Sequence, residues 1–350
     1  MIREAIEQLL RGHSLSRTEA EGVMDEVMGG HATPAQIAGF LVALRIKGET
    51  VEEITGCAHA MRRAATRVRP RATGLIDTCG TGGDGAGTFN ISTTTAFVVA
   101  GAGLRVAKHG NRSVSSKSGS ADVLKALGVN LDLTPEQVAT CIDEVGIGFL
   151  YAPKLHPAMK HAIGPRRELG VRTIFNVLGP LTNPAHVETQ LMGVYDPRLT
   201  EVLAQVLREL GLSAAYVVHG HGGVDELTTT GPNRISYFGV SAAKDRVSTD
   251  NLDPQDLGFP RAEPTALQGG DPLENAAISR AILAGSDRGP RRDVVLLNAG
   301  AALLVGSAAT TLREGTRLAA ESIDSGAALS KLDELITLSQ RLGSTAYATA

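Results

Sequence analysis

The glycine-rich segment at residues 77–85, Asp-Thr-Cys-Gly-Thr-Gly-Gly-Asp-Gly, follows a predicted strand and has the composition of an anion site. Glycines let backbone amides converge on an anion because no side chain blocks their approach. Residues 90–95, Asn-Ile-Ser-Thr-Thr-Thr, then open a predicted helix whose N-terminus offers unpaired amides and the positive end of a dipole. The two segments together predict a phosphate or pyrophosphate site. The alternative is an ordinary glycine turn followed by a capped helix.

A second loop, residues 108–122, combines basic side chains, hydroxyl groups and two glycines at the end of another predicted strand. This composition is suited to a polyanion, although a solvated basic loop would look the same. Because both loops follow the carboxyl ends of strands, we expect them to line one crevice. The spacing matches neither a P-loop nor the dinucleotide-binding fingerprint.

An acidic pair, Asp225 and Glu226, ends a glycine-rich run that starts at His219 and again follows a predicted strand. Adjacent carboxylates can hold Mg²⁺, which prefers oxygen ligands and keeps waters and substrate phosphates around it. His219 and His221 lack a third ligand at zinc spacing. An exposed acidic pair without function is the alternative.

Two arginines, Arg166 and Arg167, precede a proline-containing segment at residues 174–184. The planar guanidinium matches a carboxylate, so one of them is a candidate for binding an acidic substrate. At least one of them could be an ordinary surface residue. Pro180 and Pro184 are predicted to bracket a rigid turn.

Residues 1–68 carry apolar residues at helical spacing and predict four short helices with no strand. From residue 72, strand and helix patterns alternate, which is typical of an α/β domain. Residues 241–270 are predicted to be irregular, and the chain from Asp271 to be mostly helical. Capping boxes are predicted for the pairs Ser16 and Glu19, Thr33 and Gln36, and Thr50 and Glu53. Strands are predicted at 74–78, 104–107, 187–194, 214–218 and 235–238, and helices at 92–102, 120–127 and 156–169, with one more capped by Thr134.

Composition limits the function classes. The 350 residues suffice for about two domains, and the net charge of −3 with 3% aromatic residues and no Trp disfavours nucleic acid as a partner. The apolar run at residues 294–305 is too short to span a bilayer, so no membrane association is predicted. Three scattered cysteines predict no disulfide framework and a reducing compartment, and the expected location is the cytoplasm.

The segments described above, in their order, resemble the anthranilate phosphoribosyltransferase family over nearly the whole chain. A late run, residues 297–301 (Leu-Asn-Ala-Gly-Ala), matches as well. The resemblance implies transfer of the 5-phosphoribosyl group of PRPP to the amine of anthranilate. The products would be N-(5-phosphoribosyl)anthranilate and pyrophosphate, in the second step of tryptophan biosynthesis from chorismate.

The resemblance also implies the architecture: a small all-helical N-terminal domain, residues 1–70, and a large α/β domain, residues 71–350. The large domain would have a central mixed sheet flanked by helices. Part of residues 165–185 would pack on the small domain, and the substrates would bind between the two domains. A homodimer formed through the helical domain is expected.

Matched position by position, the resemblance assigns the site. Mg²⁺, as two ions per chain, would be held by Ser92, Asp225 and Glu226. Anthranilate would contact Gly80, Asn111 and Arg166, the last through its carboxylate. PRPP would contact Gly80, Gly83, Asp84, Thr88, Asn90, Ile91, Ser92, Thr93, Lys108, His109, Gly110, Asn111, Arg112, Ser113, Val114, Ser115, Ser116 and Ser120.

Lys108 and His109 are the catalytic candidates. Lys108 would stabilise the charge that develops on the leaving pyrophosphate. The aromatic amine of anthranilate is already neutral near pH 7, so no strong base is needed to generate the nucleophile. His109 is expected either to accept the excess proton or to serve as a hydrogen-bonding structural residue.

Two other functions are compatible with the same fold. A pyrimidine nucleoside phosphorylase would use phosphate and a nucleoside, but the region from Arg166 to Leu181 and the acidic pair argue against it. A non-catalytic nucleic-acid-binding relative would show a basic face and would not need the acidic pair.

Overall fold

The computed structural model describes residues 1–113, 117–240 and 246–347. Its N-terminal part is a module of four helices, as predicted: α1 (Ile2–Leu10), α2 (Arg17–Met28), α3 (Pro34–Lys47) and α4 (Val51–Ala64). All three predicted capping boxes form, at Ser16, Thr33 and Thr50. Each box satisfies backbone amides that the first helical turn leaves unpaired.

The carboxylate of Glu53 is the central polar group of the helical module. It is fully buried and accepts hydrogen bonds from the Leu15 amide (2.9 Å), the Thr50 amide (2.8 Å) and the Lys47 ammonium (2.8 Å). The Lys47 side chain is itself only 8% exposed. Two helix connections, α1 to α2 and α3 to α4, therefore depend on one charged group.

Replacing Glu53 by Ala is expected to lower the free energy of unfolding by about 3–5 kcal/mol, because the buried Lys47 charge loses its partner. Glu52→Ala is the matched control. The Glu52 side chain is 54% exposed and pairs with Arg17 at the surface, so its loss is expected to cost less than about 1 kcal/mol. Urea denaturation of both variants measures the difference, and equal costs would contradict the assignment of Glu53 as the central group.

A seven-stranded mixed sheet forms the centre of the larger part, in the order β3-β2-β1-β4-β5-β6-β7. The first five strands in this order are parallel, and β6 and β7 are antiparallel to their neighbours. The strands are β1 (Leu75–Gly80), β2 (Arg105–Gly110), β3 (Ile147–Tyr151), β4 (Thr189–Gly193), β5 (Ala214–His219), β6 (Asn233–Phe238) and β7 (Ser248–Leu252).

Helices cover both faces of the sheet. On one face, an apolar core joins Ile76, Leu191 and Val218 of the strands to α5 and to the C-terminal helices. On the other face, Met192 and Val217 pack with α11 and with the helical module. The helices are α5 (Ile91–Gly101), α6 (Ser120–Leu127), α7 (Pro135–Glu144), α8 (Ala152–Leu155), α9 (Lys160–Leu169), α10 (Phe175–Leu181), α11 (Leu199–Glu209), α12 (Pro272–Leu283), α13 (Pro290–Val305), α14 (Leu312–Asp324) and α15 (Ala327–Tyr347), with 3₁₀ turns at Pro157–Met159, Pro254–Leu257 and Pro264–Leu267.

The predicted fold class, a small helical domain with a large α/β domain and a mixed sheet, is confirmed. Helices α9 and α10 pack on α2, α3 and α4, and buried residues of α10 such as Phe175 and Leu178 share their core. Arg62 of α4 ties the two parts together by donating to the carbonyls of Leu181 (2.8 Å) and Leu210 (3.3 Å). The domain limits at residues 70 and 71 stay a prediction.

Several elements differ from the sequence prediction. The region 241–270 contains β7, a polar strand at the edge of the sheet whose one strand partner among the described residues is β6, so an apolar pattern was not required of it. The five-residue strand β3 and the helix α11 were not predicted. Pro180 lies inside α10 instead of starting a turn, and the turn begins only after Leu181.

Candidate active site

The carboxyl ends of β1, β4 and β5 meet at one edge of the sheet, and the loop that follows β5 lies across the other two strand ends. A Cβ atom on Gly80 would come within 2.4 Å of Asp225 Oδ2, and one on Gly193 within 1.5 Å of the Asp225 carbonyl oxygen. Glycine is therefore required at both strand ends. The sheet brings the glycine-rich loop and the acidic pair together, although they are more than 130 residues apart in the chain.

Reciprocal hydrogen bonds join the two loops. The Gly82 amide donates to Asp225 Oδ2 (2.6 Å), and the Asp225 amide donates to Asp84 Oδ2 (3.2 Å). The other oxygen of Asp84 accepts from the Ala86 amide (3.1 Å), which closes a turn within the glycine-rich loop. Asp84, expected from the sequence as a substrate contact, thus also holds the loop in place.

The middle of the glycine-rich loop presents amides that no described residue pairs with. Gly82, Gly83 and Gly85 have φ values of +66°, +74° and +73°, a conformation that favours glycine. Within the described residues, the amides of Gly83, Asp84 and Gly85 donate no hydrogen bond. Successive unpaired amides of this kind form an anion-binding concavity.

Glu226 lies at the N-terminus of α5. Its Oε1 accepts from the Ser92 amide (3.1 Å) in the first turn of that helix. Burial raises the pKa of Glu226, and the nearby charge of Lys108 opposes that rise. Burial also raises the pKa of Asp225 well above its ordinary value, and the negative charges of Glu226 and Asp84 add to the effect. Carboxylates crowded in this way favour a cation between them.

The residues present fit a magnesium ion that is completed by substrate. No group of three or more His, Cys, Asp or Glu side chains forms a ready metal site in residues 1–113, 117–240 and 246–347. Mg²⁺ does not need one, because proteins commonly bind it through one or two carboxylates plus substrate phosphates. Asp225, Glu226 and the Ser92 hydroxyl offer the hard oxygen donors that this ion prefers.

Lys108 lies beneath this cluster. Its side chain is buried, and its ammonium donates to the Thr78 carbonyl and to Ser92 Oγ (3.4 Å). Successive strand residues point to opposite faces, so Lys108 and His109 of β2 face different sides of the sheet. Lys108 therefore acts on the acidic cluster, whereas His109 faces α10 and His156.

His109 is held in a chain of hydrogen bonds with one assignable direction. Its Nδ1 lies 3.1 Å from the Gly179 carbonyl, which can only accept, so Nδ1 carries the proton. Its Nε2 lies 3.1 Å from Nε2 of His156, and His156 must then be the donor. Burial lowers the pKa of His109 to about 3 and that of His156 to about 4, so both rings are neutral near pH 7.

The two histidines predict a loss of stability in acid. Their folded pKa values lie below the ordinary 6.5. At pH values between the folded pKa and 6.5, the unfolded chain therefore binds more protons than the folded protein does. Their contribution is present above pH 6.5 and is lost progressively as the pH falls through the folded pKa values of about 4 for His156 and about 3 for His109. His156→Asn is expected to reduce the slope of the unfolding free energy between pH 6.5 and 4.5 by up to about 1.4 kcal/mol per pH unit. Urea denaturation at several pH values measures it, and an unchanged slope would contradict this assignment.

Asp77 of β1 supports the same region from within. It is fully buried and accepts from the His109 amide (3.1 Å) and from Asn183 Nδ2 (2.7 Å). Asn183 also donates to the Ala107 carbonyl (2.8 Å). Burial raises the pKa of Asp77, and the positive charge of Lys108 opposes that rise. Asp77 therefore fixes the backbone at the end of β2.

The basic loop after β2 is described up to Ser113 and again from residue 117. The Ser120 hydroxyl donates to the Asn111 carbonyl (3.2 Å), and a Cβ on Gly110 would meet Ser120 Oγ at 2.2 Å. Asn111 and Arg112 are exposed at the mouth of the site. The amides of Ser113 and Gly119 both donate to Asp122, which closes the loop. The predicted contacts Val114, Ser115 and Ser116 lie outside the described residues.

Some residues at the start of α5 have buried side chains, and others hold the helix start in place. The side chains of Ile91 and Thr93 are buried, so only their backbone could reach a ligand. Asn90 Oδ1 accepts from Ser118 (3.2 Å) and from Asn275 (2.9 Å), which anchors the helix start. Thr88 forms an isolated bridge with Gln268 at the end of the glycine-rich loop.

Arg166 of α9 lies over the ring of Phe175 at 5.0 Å from its centroid. Burial lowers the pKa of its guanidinium, which has no ion-pair partner within the described part of the chain. Phe175 and Gly179 are four residues apart on α10 and share one face of it. Arg166 and His109 therefore contact the same side of that helix.

Some supporting residues were not predicted from the sequence. His156 and Asp77 fix His109, and buried Asn298 of α13 bonds both the amide (3.1 Å) and the carbonyl (2.8 Å) of Leu227, next to Glu226. The family resemblance includes Asn298, and this signal could have identified it. The partners of His156 and Asp77 lie on other strands and helices, so nothing in the local sequence indicates them.

None of the helices in the described residues combines the length and the apolar character that crossing a membrane demands.

Comparison with known proteins gives the same family over nearly the whole chain. The model of the glycosyl transferase family, helical bundle domain, matches residues 3–65, and that of the glycosyl transferase family, a/b domain, matches residues 72–329. Anthranilate phosphoribosyltransferase from Moorella thermoacetica is 57% identical over 336 residues, with 96% of this chain and 98% of the relative covered. The chain belongs to the anthranilate phosphoribosyltransferase family.

Other members agree with this. The enzyme of the same name from Acetivibrio thermocellus is 56% identical, with 96% of both chains covered. The crystal structure of anthranilate phosphoribosyltransferase from Thermus thermophilus has a TM-score of 0.90 at 44% identity, covering 96% of this chain and 99% of that one. The Saccharomyces cerevisiae enzyme in complex with PRPP and Mg has a TM-score of 0.87 at 29% identity, covering 97% of this chain and 98% of that one.

Proposed function

We propose that the protein transfers the 5-phosphoribosyl group of PRPP to the amine of anthranilate, releasing pyrophosphate. One observation carries the proposal: loop amides that are unpaired within the described residues and an acidic pair meet at the carboxyl edge of the sheet. In addition, the half-buried Arg166 has no acidic partner in the described part of the chain. The first two features suit a pyrophosphate with a divalent cation, and the third suits a carboxylate. Membership of the family supports the same reaction.

We propose that PRPP lies along the glycine-rich loop and the start of α5. The amides of Gly83, Asp84 and Gly85 have no partner among the described residues and could bind phosphate oxygens, and the helix N-terminus adds its dipole. The remaining contacts proposed for PRPP are those named from the family resemblance, from Gly80 and Thr88 through the loop that ends at Ser120.

We propose that Asp225, Glu226 and Ser92 hold Mg²⁺ as two ions together with pyrophosphate oxygens. The ions would supply positive charge next to the leaving group as it gains negative charge. The protein's own contribution is to keep the carboxylates in place through Gly82 and the Ser92 amide. Lys108 lowers the cost of burying Glu226 and orients Ser92.

We propose that anthranilate lies between Gly80, Asn111 and Arg166, with its carboxylate on Arg166. The amine is neutral near pH 7, so bringing it close to C1 of the ribose is the main task of the site. Glycosyl transfer of this kind passes through an oxocarbenium-like transition state, and the departing pyrophosphate takes the bonding electrons. Interactions that strengthen as this charge develops would accelerate the reaction.

The geometry around His109 supports its structural role over proton transfer. Its Nε2 lone pair is engaged by His156 and its Nδ1 proton by Gly179, so no free lone pair faces the amine. A pKa of about 3 would also make it a weak proton acceptor near pH 7. The excess proton would then leave to solvent or to the pyrophosphate.

Product analysis tests this function against its rivals. Purified protein with PRPP, anthranilate and Mg²⁺ is expected to yield phosphoribosyl anthranilate and pyrophosphate in equal amounts, measured by mass spectrometry and a pyrophosphate assay. Phosphorolysis of thymidine or uridine without transfer to anthranilate would instead indicate a nucleoside phosphorylase. Salt-dependent binding of DNA without either reaction would indicate the binding protein.

We also propose a homodimer and a cytoplasmic location. Leu10, Ile46 and Ile163 are exposed apolar residues on the neighbouring helices α1, α3 and α9, and a second copy would cover them. Light scattering is expected to give twice the monomer mass. The three cysteines are free and buried, which fits a reducing compartment.

A further inference from the structure

Arg172 lies in the connection between α9 and α10, on the segment that packs against the helical module. Its guanidinium carbon lies 4.1 Å from the ring centroid of Tyr195, and its Nη2 donates to the Gly83 carbonyl. The exposed Arg172 side chain therefore contacts both the glycine-rich loop and Tyr195, which follows β4. Nothing in the reaction proposed above uses it.

Tyr195 is fixed to the same loop from the other side. Its amide donates to Thr81 Oγ1 (3.2 Å), and the Thr81 amide donates to the Gly193 carbonyl (2.9 Å). The tyrosine ring is half-buried. Arg172, Tyr195 and Thr81 thus enclose the first half of the glycine-rich loop, with the planar guanidinium stacked on the ring.

The hydrogen bond to Gly83 has a geometric consequence. The carbonyl of Gly83 and the amide of Asp84 belong to one planar trans peptide group, so they point in opposite directions. Holding the carbonyl toward Arg172 aims the Asp84 amide away from it, and that amide has no partner within the described residues. Gly83, at φ +74°, could otherwise rotate this peptide at little cost.

We propose that Arg172 is a positioning residue for the phosphate-bearing substrate: stacked on Tyr195, it locks the Gly83–Asp84 peptide so that the loop amides face the anion. The inference rests on the proposed function, because it assumes that PRPP binds to this loop. Arg172 acts through the loop backbone. The Tyr195 ring holds the guanidinium plane, and the charge of Arg172 alone does not suffice.

Arg172→Ala is expected to weaken binding of PRPP with Mg²⁺ by about 10- to 100-fold, measured by calorimetry, from the loss of a charge-assisted hydrogen bond and a cation–π contact. The KM for anthranilate is expected to change less than about 3-fold. The melting temperature is expected to change by no more than about 2 °C. Tyr195→Phe keeps the ring and is the matched control, expected to bind PRPP like the wild type.

Further variants distinguish two roles for Arg172: holding the Gly83 carbonyl of the loop, or contacting a substrate phosphate directly. Arg172→Lys keeps the charge but loses the planar fork, so it is expected to bind PRPP almost as weakly as Arg172→Ala. Tyr195→Leu alone is expected to weaken PRPP binding. Combined with Arg172→Ala it is expected to add little further loss, since both substitutions remove the same contact between Arg172 and the Tyr195 ring.

Several results would overturn the inference. Recovery of PRPP binding in Arg172→Lys would indicate that the charge of Arg172 contacts phosphate directly. Fully additive losses for Arg172→Ala and Tyr195→Leu would show that the Tyr195 ring does not act through Arg172. Equal losses for both substrates together with a lower melting temperature would assign a merely structural role. If the wild type binds PRPP and Arg172→Ala binds it equally well, only this inference fails. If the wild type does not bind PRPP, the proposed function fails with it.

Discussion

The double variant Asp225→Asn with Glu226→Gln is expected to lower kcat/KM for PRPP by at least about 10³-fold at saturating Mg²⁺. Such a loss corresponds to roughly 4 kcal/mol of transition-state stabilisation, within the several kcal/mol that a metal ion supplies to developing charge. The Mg²⁺ concentration for half-maximal activity is expected to rise at least about 10-fold. Amide side chains keep acceptor oxygens for Gly82 and Ser92, so the loops can retain their hydrogen bonds.

The stability of this variant distinguishes a metal site from a structural pair. Burial raises the pKa values of both carboxylates, and the negative charge of Asp84 adds to the rise at each, so their neutral replacements are expected to leave the melting temperature unchanged or higher. Asp333→Asn with Glu334→Gln, an adjacent exposed pair on α15, is the matched control and is expected to keep full activity. An unchanged Mg²⁺ titration in the active-site variant would remove Asp225 and Glu226 from the metal site.

Arg166→Ala is expected to raise the KM for anthranilate by at least about 30-fold, because removing one partner of a desolvated charge pair costs ~2 kcal/mol or more. The KM for PRPP is expected to change less than about 3-fold. The guanidinium stacks on Phe175 and has no ion-pair partner within residues 1–113, 117–240 and 246–347, so its charge is available to a ligand. Steady-state kinetics with each substrate varied measures the two effects.

Two controls make this assignment specific. Arg167→Ala removes the exposed neighbouring arginine and is expected to leave both KM values unchanged. Anthranilamide, which lacks the carboxylate, is expected to bind weakly to the wild type and no more weakly to Arg166→Ala. Equal increases in both KM values, or a further loss of anthranilamide binding, would contradict the carboxylate contact.

Local patterns predicted the fold where each element carries its own signal. The helical module was predicted because its capping boxes and apolar spacing lie within single helices. Strand β7 was not predicted, since an edge strand with one partner needs no apolar alternation. Strand β3 was not predicted because Gly148 interrupts its short apolar run, and glycine is depleted in strands.

The site divides in the same way. Glycines, hydroxyls and the acidic pair could be predicted as separate anion and cation groups, because their chemistry depends on residue type and spacing. Their mutual contacts could not, because Gly82 meets Asp225 only after the parallel strands align their ends. The direction of the hydrogen bonds at His109 depends on His156 and Gly179, which are 47 and 70 residues away in the chain.

Loss of anthranilate fluorescence on adding PRPP and Mg²⁺ to the purified protein tests the central claim most directly. We expect a loss that requires protein, PRPP and Mg²⁺ together, with a rate proportional to the protein concentration. Unchanged fluorescence with folded protein and fresh PRPP would contradict the transfer to anthranilate and would indicate another acceptor or a protein that only binds.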